Sequence, residues 1–211
     1  MNSLEGVMVV GLTGQTGAGK TTVCKVFEEN GFSIINADII ARKVMEKGMP
    51  CLCEICEFFG KDILLDDGSL NRQKLSKLVF SDKKKLELLN SVTYPYITSE
   101  ILKTIRHYSK KGSKLILLDA PTLFESRADD FCELIISVIA KETIRLSRII
   151  NRDKLTEDAA LNRMSSQYQE DFFRQNSDFI IKNNSDMKNL FDVAKEVSDK
   201  IKDYYYNKYK S

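Results

Sequence analysis

The feature that most constrains this chain is Gly14-Gln15-Thr16-Gly17-Ala18-Gly19-Lys20-Thr21, a complete G-x-x-x-x-G-K-[ST] motif directly after an apolar run at residues 8–12. Such a motif needs a strand before it and a helix after it, and both patterns are present. Gly14, Gly17, Ala18 and Gly19 would turn backbone N–H groups inward around the phosphates of ATP, and the following helix would present its positive end to the same anion. Lys20 is placed to reach the β- and γ-phosphates, the Thr21 hydroxyl to help hold Mg²⁺, and Thr22 to complete the first turn at the ATP site. A glycine-rich surface turn with an exposed lysine is the bland alternative, and the strand-to-helix setting disfavours it.

Further apolar runs at 32–35, 115–118, 134–140 and 179–181 are each too short for a typical helix and read as strands buried on both faces. The segment after the P-loop carries Val23, Val26 and Phe27 on one helical face and stops at Asn30-Gly31. Strands alternating with helices predict an α/β fold, a P-loop NTPase core with a parallel five-stranded sheet flanked by helices. Residues 39–114 break that rhythm with amphipathic helical patterns and no strand, which predicts a helical insertion. Residues 142–176, dense in Arg, Gln, Asp and Glu, have the composition of a polar helical cover. From 186 onward, Leu190, Val193, Ala194 and Val197 predict a closing helix with a solvated, tyrosine-rich end. No linker or repeat divides the chain, so residues 1–211 are expected to form a single P-loop kinase domain.

Composition narrows the partners. With 32 Lys plus Arg against 30 Asp plus Glu, the net charge of +2 gives no general attraction to nucleic acid or anionic membranes, so any anion site must be local. No apolar run approaches the roughly 20 residues of a membrane span, and the first five residues lack a basic and hydrophobic leader. Five cysteines, an odd number in a chain of this length, agree with a reducing compartment and predict a cytoplasmic protein.

Other candidate residues follow from strand ends. Asp38 stands just past the second strand, which is expected beside the P-loop strand, where ligands of open α/β sheets gather. A carboxylate there can take a proton from an acceptor hydroxyl, and it can equally cap the helix expected over 39–47. The third strand ends in Leu117-Leu118-Asp119-Ala120-Pro121, the pattern of a carboxylate that reaches Mg²⁺ through water. Arg148, Arg152 and Arg163 fall in the polar cover, where guanidinium groups can offset the charge of a transferring phosphoryl group. Cys51, Cys53 and Cys56 lack a fourth ligand at metal-site spacing and read as part of an amphipathic helix. His107 reads as a surface residue.

With these residues in hand, the chain resembles the dephospho-coenzyme A kinase family over nearly its whole length. The resemblance rests on Gly11-Leu12-Thr13-Gly14, on Asn36-Ala37-Asp38-Ile39-Ile40-Ala41-Arg42 and on Asp119-Ala120-Pro121-Thr122-Leu123-Phe124-Glu125. Arg148, Arg152-Asp153, Gln167 and Ser177-Asp178-Phe179-Ile180-Ile181-Lys182-Asn183-Asn184 then follow in the family's order. It implies ATP-dependent phosphorylation of the 3′-hydroxyl of dephospho-coenzyme A with Mg²⁺, and Asp38 as catalytic carboxylate beside Lys20 and Arg152. It further implies a coenzyme A binding insertion over 39–91, a lid over 142–176, Asn183 near the base, and Arg42, Tyr94 and Pro121 on the acceptor side. The chain departs from the family pattern at Asn36, Tyr94, Thr122 and Ile144. A nucleoside or nucleotide kinase shares the same framework and differs in the acceptor pocket. A silent nucleotide-binding module is disfavoured by Asp38, Asp119 and Arg152, and a GTPase by Asn151-Arg152-Asp153-Lys154, which is not a guanine-reading motif.

Overall fold

A computed structural model describes residues 6–209; residues 1–5, where a leader was sought, and residues 210–211 of the tyrosine-rich end lie outside the described residues. Every apolar run forms a strand: β1 (Met8–Gly14), β2 (Ser33–Asn36), β3 (Leu115–Asp119), β4 (Leu134–Ile139) and β5 (Phe179–Lys182). They make a sheet in the order β2-β3-β1-β4-β5. β1 runs parallel to both β3 and β4, and β4 parallel to β5.

The strand order corrects one expectation. β2, the strand before Asp38, does not adjoin the P-loop strand, because β3 stands between them. β1 and β3 are buried along their whole length and take central places; β2 keeps only Ile35 fully buried, the profile of an edge. Burial on both faces therefore holds for β1 and β3 and fails for the edge strands β2 and β5, where Ile34, Phe179 and Ile180 are only half-buried.

Chain contacts divide the protein into two compact units, one comprising the residues up to Ile35 and from His107, the other Asn36–Arg106. In the first unit the P-loop leads into α1 (Lys20–Glu29), which ends at Asn30 and Gly31, the latter at φ 88°. The second unit is helical: α2 (Ala37–Val44), α3 (Pro50–Phe59), α4 (Arg72–Phe80) and most of α5 (Lys83–Lys110). Its own core gathers Cys51, Leu52, Ile55, Ile63, Leu75 and Val92. Between β4 and β5 the first unit carries α6 (Glu142–Asp153), α7 (Glu157–Ser165) and α8 (Glu170–Gln175), and it closes with α9 (Met187–Tyr209).

Period-two alternation decides what the sheet buries. Met8, Val10 and Leu12 share a cluster with Leu117, Ile136 and Val138, covered by Val23, Val26 and Phe27 of α1 and by Leu190, Ala194 and Ile201 of α9. On the other face Gly11 leaves room for Leu123 and Cys132, whose side chains would crowd any Cβ placed there. The tail departs from expectation. Its helix continues to Tyr209, Tyr205 is only 5% exposed, and its hydroxyl donates to the Gly6 carbonyl at 2.8 Å. The Tyr209 hydroxyl and Lys208 Nζ both donate to the Glu133 carboxylate, at 2.6 and 2.7 Å. Tyr205 thus buries its ring and keeps a polar partner, while Tyr204 and Tyr206 are exposed as a solvated end requires.

Candidate active site

The P-loop turns where two glycines permit it. Gly14 sits at φ 134° and Gly19 at φ 103°, a backbone region L side chains rarely adopt. A Cβ at Gly14 would fall inside the carbonyl oxygen of Val138, and one at Gly19 inside the Asn183 amide. Gly19 is also the residue that opens α1, and it supplies no side-chain cap; the first turn holds no acidic residue. A helix end built this way offers backbone N–H groups and a positive dipole to an anion. Lys20 and Thr21 occupy its first two positions.

Three side chains hold the loop from outside, and a fourth, Gln15, ties it down from within. Asn183, 5% exposed and just past β5, donates from Nδ2 to the Ala18 carbonyl at 2.8 Å, and its Oδ1 accepts from Arg148 Nη2 at 3.3 Å. Arg148 Nη1 in turn donates to the Gly17 carbonyl at 3.4 Å. The buried Gln15 side chain accepts the Ala140 N–H at 3.4 Å, and Gln167 Oε1 accepts the Thr16 N–H at 2.7 Å. Beside the loop lies a cavity of about 540 Å³ lined by Gly17, Gly19, Thr22, Arg148, Arg152 and Asn183, with Met187 and Leu190 as apolar wall. That volume lies in the range of small-molecule sites, and two arginines with an open helix end suit a polyanionic nucleotide.

Asp119 ends β3, is 9% exposed and pairs in register with Leu12 of β1. Its charge is felt at Cys24 in α1, whose thiol is pushed up to about 11, first by burial and then by Asp119. A nearly buried carboxylate on the strand beside the P-loop fits a hard cation that prefers oxygen ligands and binds through few protein groups. Thr13, at the end of β1, donates from its hydroxyl to the Pro121 carbonyl at 3.3 Å, fixing the turn after Asp119.

The arginines of α6 differ in circumstance. Arg152 is exposed and forms a two-pronged pair with its neighbour Asp153, Nε to Oδ1 at 2.7 Å and Nη2 to Oδ2 at 2.9 Å. Arg163 joins the same carboxylate at 2.6 Å, and the arginines hold it below the usual range, Arg152 foremost. Arg145, which sequence reasoning missed, is 8% exposed, donates from Nε to the Ala140 carbonyl at 3.1 Å and is pulled below the usual arginine range by burial. Its backbone carbonyl lies 2.9 Å from where a Gly17 Cβ would sit. The signal available was its spacing three residues before Arg148 on one helical face. Gln15 carried no signal, because its place in the motif accepts any residue.

In the helical unit, Asp38 occupies the first turn of α2 and is exposed. It is not the cap: Asn36 Oδ1 accepts the Ile39 N–H at 2.9 Å and fills that role. The helix begins at Ala37, two residues earlier than the sequence indicates, which moves the capping position to Asn36. Arg42 is exposed, with its carbonyl accepting from Arg72 Nη2 at 3.1 Å, and Tyr94 lies half-buried in α5 before Pro95. This unit has its own cavity of about 410 Å³, lined among others by Leu52, Cys53, Cys56, Lys61 and Leu64. His107 is exposed. Among the described residues no group of three or more His, Cys, Asp or Glu is arranged to hold a metal, and no helix is long and apolar enough to cross a membrane.

The family model described as dephospho-CoA kinase matches residues 8–189, from the start of β1 into the first turn of α9. The chain belongs to the dephospho-CoA kinase family. It is 41% identical over 178 residues to the dephospho-CoA kinase of Listeria innocua, covering 84% of this chain and 89% of that one. Among solved structures, TT1252 from Thermus thermophilus is similar with a TM-score of 0.79 at 25% identity, covering 92% of this chain and 97% of that one. The dephospho-CoA kinase from Campylobacter jejuni is similar with a TM-score of 0.63 at 26% identity, covering 93% and 98%.

Proposed function

We propose that this chain transfers the γ-phosphoryl group of ATP to the 3′-hydroxyl of dephospho-coenzyme A, giving coenzyme A and ADP. The observation that carries the reading is the uncapped, glycine-opened helix end with Lys20 and Thr21 in its first turn, in a chain that the dephospho-CoA kinase family matches along residues 8–189. Gly14, Gly17, Ala18, Gly19 and Thr22 line the ATP phosphates, and Arg148 and Asn183 hold the loop that does so. Lys20 spreads the charge of the phosphates as the bond to the bridging oxygen breaks. Thr21, and Asp119 through water, would hold Mg²⁺, which would supply further neutralisation of that charge.

Asp38 takes the proton of the acceptor hydroxyl as its oxygen bonds to phosphorus. Its freedom from the capping role supports that assignment, since the carboxylate is not spent on the helix. Arg152 exchanges Asp153 for the transferring phosphoryl group, and a planar fork already set for two oxygens makes that exchange geometrically simple. Arg42, Tyr94 and Pro121 belong to the acceptor side, residues 39–91 to coenzyme A binding, and residues 142–176 to a lid. Five cysteines, an odd number, support a reducing compartment, the cytoplasm, as the setting of this chemistry.

The test is direct. Purified protein is incubated with ATP, Mg²⁺ and dephospho-coenzyme A, and the product is identified by mass and by nuclease digestion that locates the new phosphate. A 3′-phosphate supports the proposal; ADP formed without phosphorylated acceptor, or phosphate at another position, refutes it.

A further inference from the structure

Gln167 sits in the turn between α7 and α8, and its side chain reaches across 151 residues of sequence to accept the Thr16 N–H at 2.7 Å. The other ties to the middle of the loop work in the opposite sense. Asn183 and Arg148 donate to the carbonyls of Ala18 and Gly17, whereas Gln167 consumes a donor. Donors are what a P-loop offers to phosphate. A protein oxygen that takes one of them selects which N–H groups remain for the anion. Thr16 lies ahead of Gly17, away from the helix end at Gly19, so the helix-end donors are untouched.

The mount of Gln167 is firm on both sides. Its own N–H donates to the Met164 carbonyl at 3.3 Å, and Met164 packs with Ile149 and Ala160 in the core shared by α6 and α7. Its other neighbour, Tyr168, stacks on Phe172 with ring centroids 3.8 Å apart and planes 13° from parallel. Phe172 meets Phe124 edge-on at 5.1 Å, and Phe124 follows the Asp119-Ala120-Pro121 turn. With its backbone held between the Met164 contact and the Tyr168–Phe172 stack, Gln167 has only its own side chain left to order in making the hydrogen bond, which favours a fixed loop over a fluctuating one.

We infer that Gln167 is a positioning residue: by holding the Thr16 N–H it sets the turn of the P-loop ahead of Gly17 and thereby aligns the transferring phosphoryl group, without contributing to nucleotide affinity. This rests on the phosphotransfer reading above. Misplacement of a reacting group by a fraction of an ångström lowers turnover, while ADP bound at the helix end is indifferent to it.

Two variants test the inference. Gln167→Met keeps the length and removes the strong acceptor; Gln167→Glu keeps an oxygen at the same reach. Exchange of the Thr16 amide is followed by fragmentation mass spectrometry, ADP affinity by titration, and kcat with ATP and dephospho-coenzyme A. Gln167→Met is expected to expose the Thr16 amide to faster exchange and to lower kcat about tenfold, with the ADP Kd within about twofold of wild type. Gln167→Glu is expected to keep Thr16 protected. The inference is overturned by wild-type exchange at Thr16 in Gln167→Met, by loss of protection in Gln167→Glu, or by a fall in activity matched by an equal loss of ADP affinity. A wild-type protein that leaves dephospho-coenzyme A unphosphorylated counts instead against the proposed activity, and the exchange arm then decides on Gln167.

Discussion

Asn183 joins the last strand to the P-loop: its Nδ2 donates to the Ala18 carbonyl at 2.8 Å across 165 residues of sequence. With Asn183 almost wholly buried, that carbonyl has little access to water as a substitute donor. Asn183→Ala is expected to cost about 1–3 kcal/mol of stability, the penalty for leaving a buried acceptor unmade, and to weaken ADP binding because Arg148 loses its anchor as well. Urea unfolding and ADP titration read both effects. A variant with the wild-type midpoint and the wild-type Kd would show that the tie is ornamental.

Two glycines separate steric need from mere left-handed geometry. Gly14→Ala drives a methyl group into the Val138 carbonyl at a φ of 134° and is expected to abolish folding or cost more than about 3 kcal/mol. Gly112, at φ 86°, has nothing within 4 Å of the added Cβ, so Gly112→Ala should cost only about 1–2 kcal/mol. Thermal unfolding of the pair is the check, and equal losses would contradict the placement of β4 against the loop.

Much of this was legible in the sequence, for reasons that are local. The P-loop string fixes its own turn, and the apolar runs at β1 and β3 are continuous because both faces are covered. Strand order was not legible. Whether β2 or β3 lies beside β1 depends on pairing as distant as Met8 with Leu115, and only the weaker burial of β2 betrays its edge position. The braces from Asn183 and Gln167 were invisible for the same reason, and so was the burial of Arg145. The role of Asp38 stayed open between base and cap on position alone, because Asn36 and Asp38 can both cap a helix, and a helix start two residues earlier than expected gives the cap to Asn36.

That correction sharpens the prediction for Asp38. Because Asn36 makes the capping bond, Asp38→Asn should leave stability within about 0.5 kcal/mol of wild type. Turnover should fall by about 10²–10⁴, the contribution of a positioned base. Lys20→Ala should also lose turnover, and it should weaken ATP binding, which Asp38→Asn should not. Denaturation, ATP titration and steady-state rates on the two variants separate these outcomes, and an Asp38→Asn enzyme with normal kcat would assign the carboxylate no chemical role.

The cysteines of α3 should behave as packing residues with one reactive exception. Burial pushes the Cys51 thiol up to about 11, with Glu54 adding to it, and Cys24 likewise to about 11. At pH 8, about three units lower, roughly one molecule in a thousand carries the thiolate at either position, and the thiol form is inert. Cys53 is exposed. Brief iodoacetamide treatment at pH 8 should therefore label Cys53 first and spare Cys24 and Cys51, as peptide mass spectrometry would show. Early labelling of Cys51 would contradict the core around Leu52 and Ile55.

The acceptor preference tests the account at its centre. Steady-state rates with ATP and Mg²⁺ should be compared for dephospho-coenzyme A, its nucleotide part without the pantetheine arm, AMP, nucleosides and shikimate. Binding energy from the remote arm positions the reacting hydroxyl, so removing the arm should lower kcat as well as raise KM. The kcat/KM for dephospho-coenzyme A should be at least about a hundredfold above that for every other acceptor. Equal use of AMP or a nucleoside would contradict it and make the chain a kinase of another acceptor on the same fold.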